Sequence, residues 1–219
     1  VKLEEYVMNS SPRVAIIDYK MSNLFSIKNA LDSLDIESFI TSSPEEISNS
    51  DGAILPGVGS YPVAMNNLKE LNLISSIKEF VESGKPFMGI CLGLQLLFES
   101  SEEFGSTKGI GLIKGSVNLF SKINEIKTIP HVGWNTVITE KFNQNNLDQP
   151  ELLSSEDYFY FVHSLYVEPS EAEVIKTYTY HDGFKFCSSI MHQNIFASQF
   201  HPEKSGKVGL KILKNFFII

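Results

Sequence analysis

Arginine is almost missing from this chain: Arg13 is the only one among 219 residues. Recognition of phosphate by the two-pronged guanidinium fork is therefore nearly unavailable. The wider charge balance points the same way. Eighteen basic residues stand against 26 acidic ones, giving a net charge of −8, which argues against nucleic acid or an anionic membrane as the main partner. No apolar run approaches the roughly 18 residues of a membrane helix. Cysteine is scarce too, with only Cys91 and Cys187, and a reducing, cytoplasmic setting is expected. No spacing of His, Cys, Asp and Glu matches a metal site, so neither a metal nor another cofactor is expected. What is present suffices for a core: 42% of the residues are hydrophobic, enough for one large α/β domain or two small ones.

The first hundred residues alternate short apolar runs with helical periodicity. Residues 14–19, 39–41, 51–57 and 85–90 read as strands without polar alternation, as in a sheet covered on both faces. Residues 24–34 and 67–83 read as helices, the second closed by Gly84, and Ser43 with Pro44, Glu45 and Glu46 reads as a capped helix start. Such alternation predicts a parallel, doubly wound sheet. The second half changes character. Residues 117–120, 158–167, 174–180, 184–192 and 195–200 read as strands, with a hairpin turn at His181-Asp182-Gly183, and residues 208–217 as a closing helix. Residues 1–12 carry Glu4 and Glu5 without a long apolar stretch, so they read as an extension rather than a signal peptide. Residues 13–219 read as one domain with a mixed sheet.

Chemistry concentrates at Gly89-Ile90-Cys91-Leu92-Gly93-Leu94-Gln95, between a strand and a helix spanning residues 92–99. Glycines two residues before and after Cys91 allow a turn too tight for side chains, and unpaired N–H groups at the helix start favour a thiolate. The alternative is a buried structural cysteine, and the elbow reading needs Cys91 free rather than bridged to Cys187. His201 and Glu203 follow another apolar strand. Parallel strands ending on one side gather their terminal residues, so His201 reaches Cys91 as general base while Glu203, two residues on, holds the imidazole. A plain surface turn is the alternative. The Pro56-Gly57-Val58-Gly59 loop offers backbone N–H groups that, with the N–H of Leu92, could meet an oxyanion. It matches neither common phosphate-loop pattern, and a plain turn remains the alternative. Gln95, one helical turn past Cys91, suits the amino-acid end of a substrate or is a solvated glutamine. His181 and His192 read as surface residues and Cys187 as packing.

Together these segments resemble the class I (triad) glutamine amidotransferases, from about residue 13 to the C-terminus. The loop at Gly57, the elbow at Cys91 and the run Gln199-Phe200-His201-Pro202-Glu203-Lys204-Ser205 match in order and spacing. Ile129-Pro130-His131-Val132-Gly133-Trp134-Asn135, Tyr160-Phe161-Val162-His163-Ser164 and the opening Ile17-Asp18-Tyr19 with Asn23-Leu24 are similar to the glutaminase subunits of imidazole glycerol phosphate synthases. The resemblance implies a three-layer, open, mixed but mostly parallel sheet flanked by helices, of the flavodoxin-like kind. It implies a Cys91-His201-Glu203 triad, an oxyanion hole of Val58, Gly59 and Leu92, and L-glutamine bound near Gly57, Gln95, His163 and Ser164. It implies a heterodimer with a cyclase subunit of (β/α)8-barrel fold, which receives ammonia for histidine biosynthesis and, once its ligand is bound, lets the Val58 loop complete the hole. Ile129 to Asn135, Tyr160 and Lys204 would face that partner. An amidotransferase for amino-sugar synthesis and a stand-alone γ-glutamyl hydrolase are the alternatives. Lys20, Ser22 and Leu165 depart from the pattern, the first two where small residues are usual and the last where an aromatic is.

Overall fold

The computed structural model describes residues 12–21, 23–139, 153 and 157–218. Residues 1–11 of the expected extension, and Ser22, lie outside the described residues. Among the described residues the main sheet has eleven strands. Its first part is parallel: β1 (Val14–Ile17) lies between β2 (Ser38–Thr41) and β3 (Gly52–Leu55), and β3 continues to β4 (Phe87–Ile90). Strands β1, β3 and β4 are buried along their whole length, which explains their unbroken apolar runs: helices cover both faces. Successive residues serve opposite faces. Ala15 and Ile17 join Leu55, Phe87 and helices α3 and α4 (Tyr61–Glu70 and Leu73–Glu82) in one core. Val14 and Ile16 join Ile54, Met88 and helices α1 (Leu24–Asp32) and α6 (Gly206–Phe217) in the other. Helix α2 (Pro44–Ser48) begins as expected, with the Ser43 side chain accepting from the Glu46 N–H.

The remaining strands mix directions. After α5 (Leu92–Leu96) come β5 (Phe98–Ser101), β6 (Thr107–Lys108) and β7 (Ile113–Leu119), then β8 (His131–Thr136), β9 (Tyr158–His163) and β10 (Leu165–Pro169). The hairpin of β11 (Ile175–His181) and β12 (Phe184–His192) turns at Asp182 and Gly183, both at positive φ. Last comes β13 (Ile195–Ser198), parallel to β4 and antiparallel to β12. Strands β8 and β9 form a separate two-stranded sheet.

Several boundaries differ from the sequence reading. The helix expected over residues 67–83 is two, α3 and α4, because Asn72 takes a left-handed φ of 56°, a conformation asparagine tolerates. Both pieces bury the same apolar stripe, so the periodicity runs through the break. The helix expected over 92–99 stops at Leu96, since Phe98 turns into β5 and pairs with Ile113 on β7. The strand expected over 158–167 is β9 and β10, broken at Ser164. Strand β8 was not foreseen. Its inward residue His131 is polar while Val132 and Trp134 are exposed, so its alternation is the reverse of an ordinary half-buried strand.

Candidate active site

Strands β1, β3, β4 and β13 lie in consecutive order, and their carboxyl ends carry Tyr19, the Gly57 loop, Cys91 and His201. Cys91 sits at φ 55°, ψ −109°, a strained backbone for a residue with a Cβ. Its neighbours allow the turn. A Cβ on Gly93 would lie 1.8 Å from the Leu55 carbonyl oxygen, and one on Gly89 would lie 3.1 Å from the Gly93 oxygen. Cys91 and Cys187 are both free thiols. Cys187 is buried in the β12 packing, which pushes its thiol well above the usual range.

His201 and Glu203 are almost fully buried, with Nδ1 of the imidazole 2.8 Å from Glu203 Oε1. The backbone is pinned as well: the His201 N–H donates to the Tyr160 oxygen at 2.9 Å, and Ser205 Oγ donates to the His201 oxygen. Nε2 of the ring is buried without a regular hydrogen-bond partner and faces Cys91. Burial pulls the imidazole down. Charge on the Cys91 sulfur, the contact to it and the Glu203 carboxylate oppose that and push it up to about 10. The structure thus brings the three expected side chains together as an ion-pair-ready set.

A cleft of about 300 Å³ opens beside Cys91. Val58, Gly59 and Leu92 form one side, His163, Ser164 and Leu165 another, and Gln95 and Glu103 complete it. Two of the three backbone donors expected at an oxyanion are otherwise engaged. The Leu92 N–H points to the Gly57 oxygen at 3.4 Å, and the Val58 N–H donates to the Met21 oxygen at 3.0 Å. In this conformation the Gly57 carbonyl takes the Leu92 N–H and the Met21 carbonyl the Val58 N–H. Gly57 itself is confined: a Cβ there would meet Tyr19 Oη at 2.1 Å, and that hydroxyl donates to the Pro56 oxygen at 2.7 Å.

Gln95 is buried and does not point freely at the cleft; its amide donates to Gln199 Oε1 at 2.9 Å, and the Gln199 amide reaches Cys91 Sγ at 3.6 Å. His163 lines the cleft, but both its ring nitrogens are committed, to His131 at 2.9 Å and to the Leu165 oxygen at 2.7 Å, so the ring has no free nitrogen for a substrate. His181 is no plain surface residue: it stacks on His131 at 4.2 Å between centroids and its Nε2 donates to the Thr128 oxygen at 2.7 Å. Lys20 takes a φ of 68° with its N–H on Asp18 Oδ1, outside the cleft lining.

Four participants were not singled out from sequence. Gln199 lies two residues before His201 in an extended segment, and that parity could have found it. Glu103 sits on a turn after the unforeseen β5, where its Oε2 accepts the Tyr61 N–H. Tyr19 could be placed only once β1 was known to neighbour β3. The Val162 carbonyl, which accepts from Cys91 Sγ at 3.8 Å, is backbone and leaves no mark in a sequence.

Burial, then the neighbouring imidazoles, lowers His131 to about 4 and His163 to about 3. Both are neutral in the fold and would charge near pH 6.5 when unfolded, so their contribution is complete above that pH. It is lost as pH falls towards 4, at most about 1.4 kcal/mol per pH unit for each ring. Melting temperature should therefore drop between pH 7 and 4.5, and drop less in His131→Asn, which has nothing to charge there; equal drops would contradict the assignment.

A sheet that presents a cysteine on a strand–helix elbow, with a histidine at the end of the adjacent strand and a carboxylate behind it, has the arrangement of a triad thiol enzyme. The chain belongs to the class I glutamine amidotransferases, since the profile described as "Glutamine amidotransferase class-I" matches residues 15–219. It is 45% identical over 207 residues to the imidazole glycerol phosphate synthase subunit HisH of Sulfurimonas denitrificans, covering 93% of this chain and 96% of that one. It is 46% identical over 205 residues to the protein of the same name from Aquifex aeolicus, covering 93% and 95%. A solved structure, that of PurLQS from Thermotoga maritima, shares the fold with a TM-score of 0.71 at 19% identity, covering 94% of this chain and 98% of that chain. Among the described residues no helix is long and apolar enough to cross a membrane, and no group of three His, Cys, Asp or Glu side chains is placed to hold a metal ion.

Proposed function

We propose that this chain is the glutaminase subunit of an imidazole glycerol phosphate synthase in the cytoplasm, hydrolysing L-glutamine to glutamate and ammonia for a cyclase partner of (β/α)8-barrel fold. The observation that carries the chemistry is the Cys91 elbow facing His201, with Glu203 behind it, at the edge of a cleft sized for one amino acid. His201 takes the thiol proton, and the Cys91 thiolate attacks the side-chain amide carbon of glutamine. The same imidazole protonates the departing nitrogen, because an amide anion is too basic to leave. Ammonia departs and leaves a thioester on Cys91. Water activated by His201 hydrolyses it, giving glutamate and the free thiol. Glu203 keeps Nε2 turned towards the sulfur. The Glu103 carboxylate on the cleft wall suits the substrate's α-ammonium group, a role we give it from charge and position.

The oxyanion donors explain why a partner is needed. The Leu92 and Val58 N–H groups become available only if the Gly57 carbonyl turns away from Leu92 and Val58 leaves Met21. Each donor is worth roughly 3 kcal/mol to the tetrahedral intermediate. The face that would carry the signal is uncovered. Strands β8 and β9 turn Val132, Trp134 and Tyr158 outwards, each more than half exposed at 55%, 57% and 58%. Trp134 meets Tyr160 edge-on, and Lys204 lies over the Tyr160 ring. Burying such a face against the cyclase ties partner binding to the β9 backbone, whose Tyr160 oxygen holds His201.

The isolated chain should hydrolyse glutamine slowly. Adding cyclase with its phosphorylated aminoimidazole ribonucleotide ligand should raise kcat at least about 100-fold, as expected for gaining one oxyanion donor. Glutamate release measured with and without partner and ligand tests this, and equal rates would refute the gating.

A further inference from the structure

Between the outer face of β8–β9 and the cleft runs a hydrogen-bond chain with a single possible direction. The Leu165 carbonyl can only accept, so His163 carries its proton on Nδ1, 2.7 Å away. Nε2 of His163 is then an acceptor and takes the Nδ1–H of His131 at 2.9 Å. Nε2 of His131 in turn accepts from the Asn135 amide at 3.2 Å. That amide's other hydrogen goes to the Tyr180 oxygen at 2.9 Å, and Asn135 Oδ1 takes the Thr136 N–H. Every donor and acceptor of the chain is used. His131 and His163 stand opposite each other in the β8–β9 register and both are buried. Their neutral state, favoured by burial, is the one the chain requires. The far end is the cleft: His163, Ser164 and Leu165 line it, and the preceding Val162 carbonyl accepts from Cys91 Sγ.

We propose that His131 is a positioning residue for the glutaminase site: by donating to His163 it holds the cleft wall of Val162, His163, Ser164 and Leu165 at the distance from Cys91 that glutamine requires. This rests on the glutaminase reading above. Without the His131 donor, His163 must either leave Nε2 buried and unpaired or move its proton there and release Leu165. Either way the wall loses one tie, and buried polar groups do not tolerate that cheaply.

Two variants of the full-length chain separate this role from plain packing. His131→Phe keeps an aromatic ring between Phe161 and His181 but has no donor. His131→Asn places an amide N–H where Nδ1 stood. Inactivation of Cys91 by a chloroketone analogue of glutamine, which must fit the cleft, should slow about tenfold in His131→Phe and about twofold or less in His131→Asn. Alkylation by iodoacetamide, which needs no cleft wall, should change little in either. Nitrogen-15 spectra of the histidines should show His163 and His131 as Nδ1–H tautomers in the unmodified chain. Undiminished chloroketone reactivity in His131→Phe would overturn the proposal. So would an equal loss in both variants, an equal loss with both reagents, or an Nε2–H tautomer at His163. A native chain that reacts with iodoacetamide but ignores the chloroketone, and yields no glutamate with cyclase and its ligand, would overturn the glutaminase reading itself.

Discussion

Cys91→Ala should abolish glutamine hydrolysis by the stimulated complex, lowering kcat on the order of 10⁴-fold or more, as loss of the nucleophile does in triad enzymes. The fold should survive. Alanine keeps the Cβ, so the backbone at φ 55° is neither relieved nor worsened. The side chain loses one sulfur, which touches the Val162 oxygen and the Gln199 amide. A melting temperature within a few degrees of the parent, with no glutamate released, is the expected pair of measurements. Hydrolysis retained in the variant would remove Cys91 from the chemistry and, with it, the whole assignment.

His201→Asn should cost somewhat less, about 10³-fold in kcat/KM, within the usual contribution of a general acid–base group. Two steps use this imidazole, proton removal from the thiol and proton delivery to the leaving nitrogen, and asparagine can perform neither. In the parent, burial is outweighed by the contact with the Cys91 sulfur and by the Glu203 carboxylate, which push the ring's affinity for the proton up to about 10. Removing it leaves the Cys91 thiol without a base. Alkylation of Cys91 by iodoacetamide should then be slower than in the parent at neutral pH, because no base remains to take the thiol proton. Glutaminase activity close to the parent's, or an unchanged alkylation rate, would contradict the role given to His201.

Much of the parallel half could be read from residues alone, because its strands are continuous apolar runs punctuated by glycine and its chemistry sits at strand ends. Cys91, His201 and Glu203 fall into that class: adjacent parallel strands bring their termini together whatever the spacing in sequence. The elsewhere-oriented details were not legible. Strand β8 hides its histidine and shows its tryptophan, an inverted pattern that makes sense only once His131 and His163 satisfy each other. The break at Asn72 leaves the apolar stripe unbroken, so periodicity passes straight over it. The state of the oxyanion donors depends on the rotation of peptides around Gly57, which side-chain identity does not fix. Glu103 was missed for a simpler reason: the turn that carries it follows a strand too short to announce itself.

Strand β13 is the last strand in chain order among the described residues, yet it lies inside the sheet, between β4 and β12. Until it arrives, β4 is an open edge with its backbone groups unpaired on one side. The Ser198 carbonyl that receives the Cys91 N–H at 2.7 Å is missing, and so is the histidine that completes the triad. A chain cut short before residue 195 therefore carries the cysteine without the strand that pins it or the histidine beside it. The elbow meets its base only when the gap in the middle of the sheet has closed.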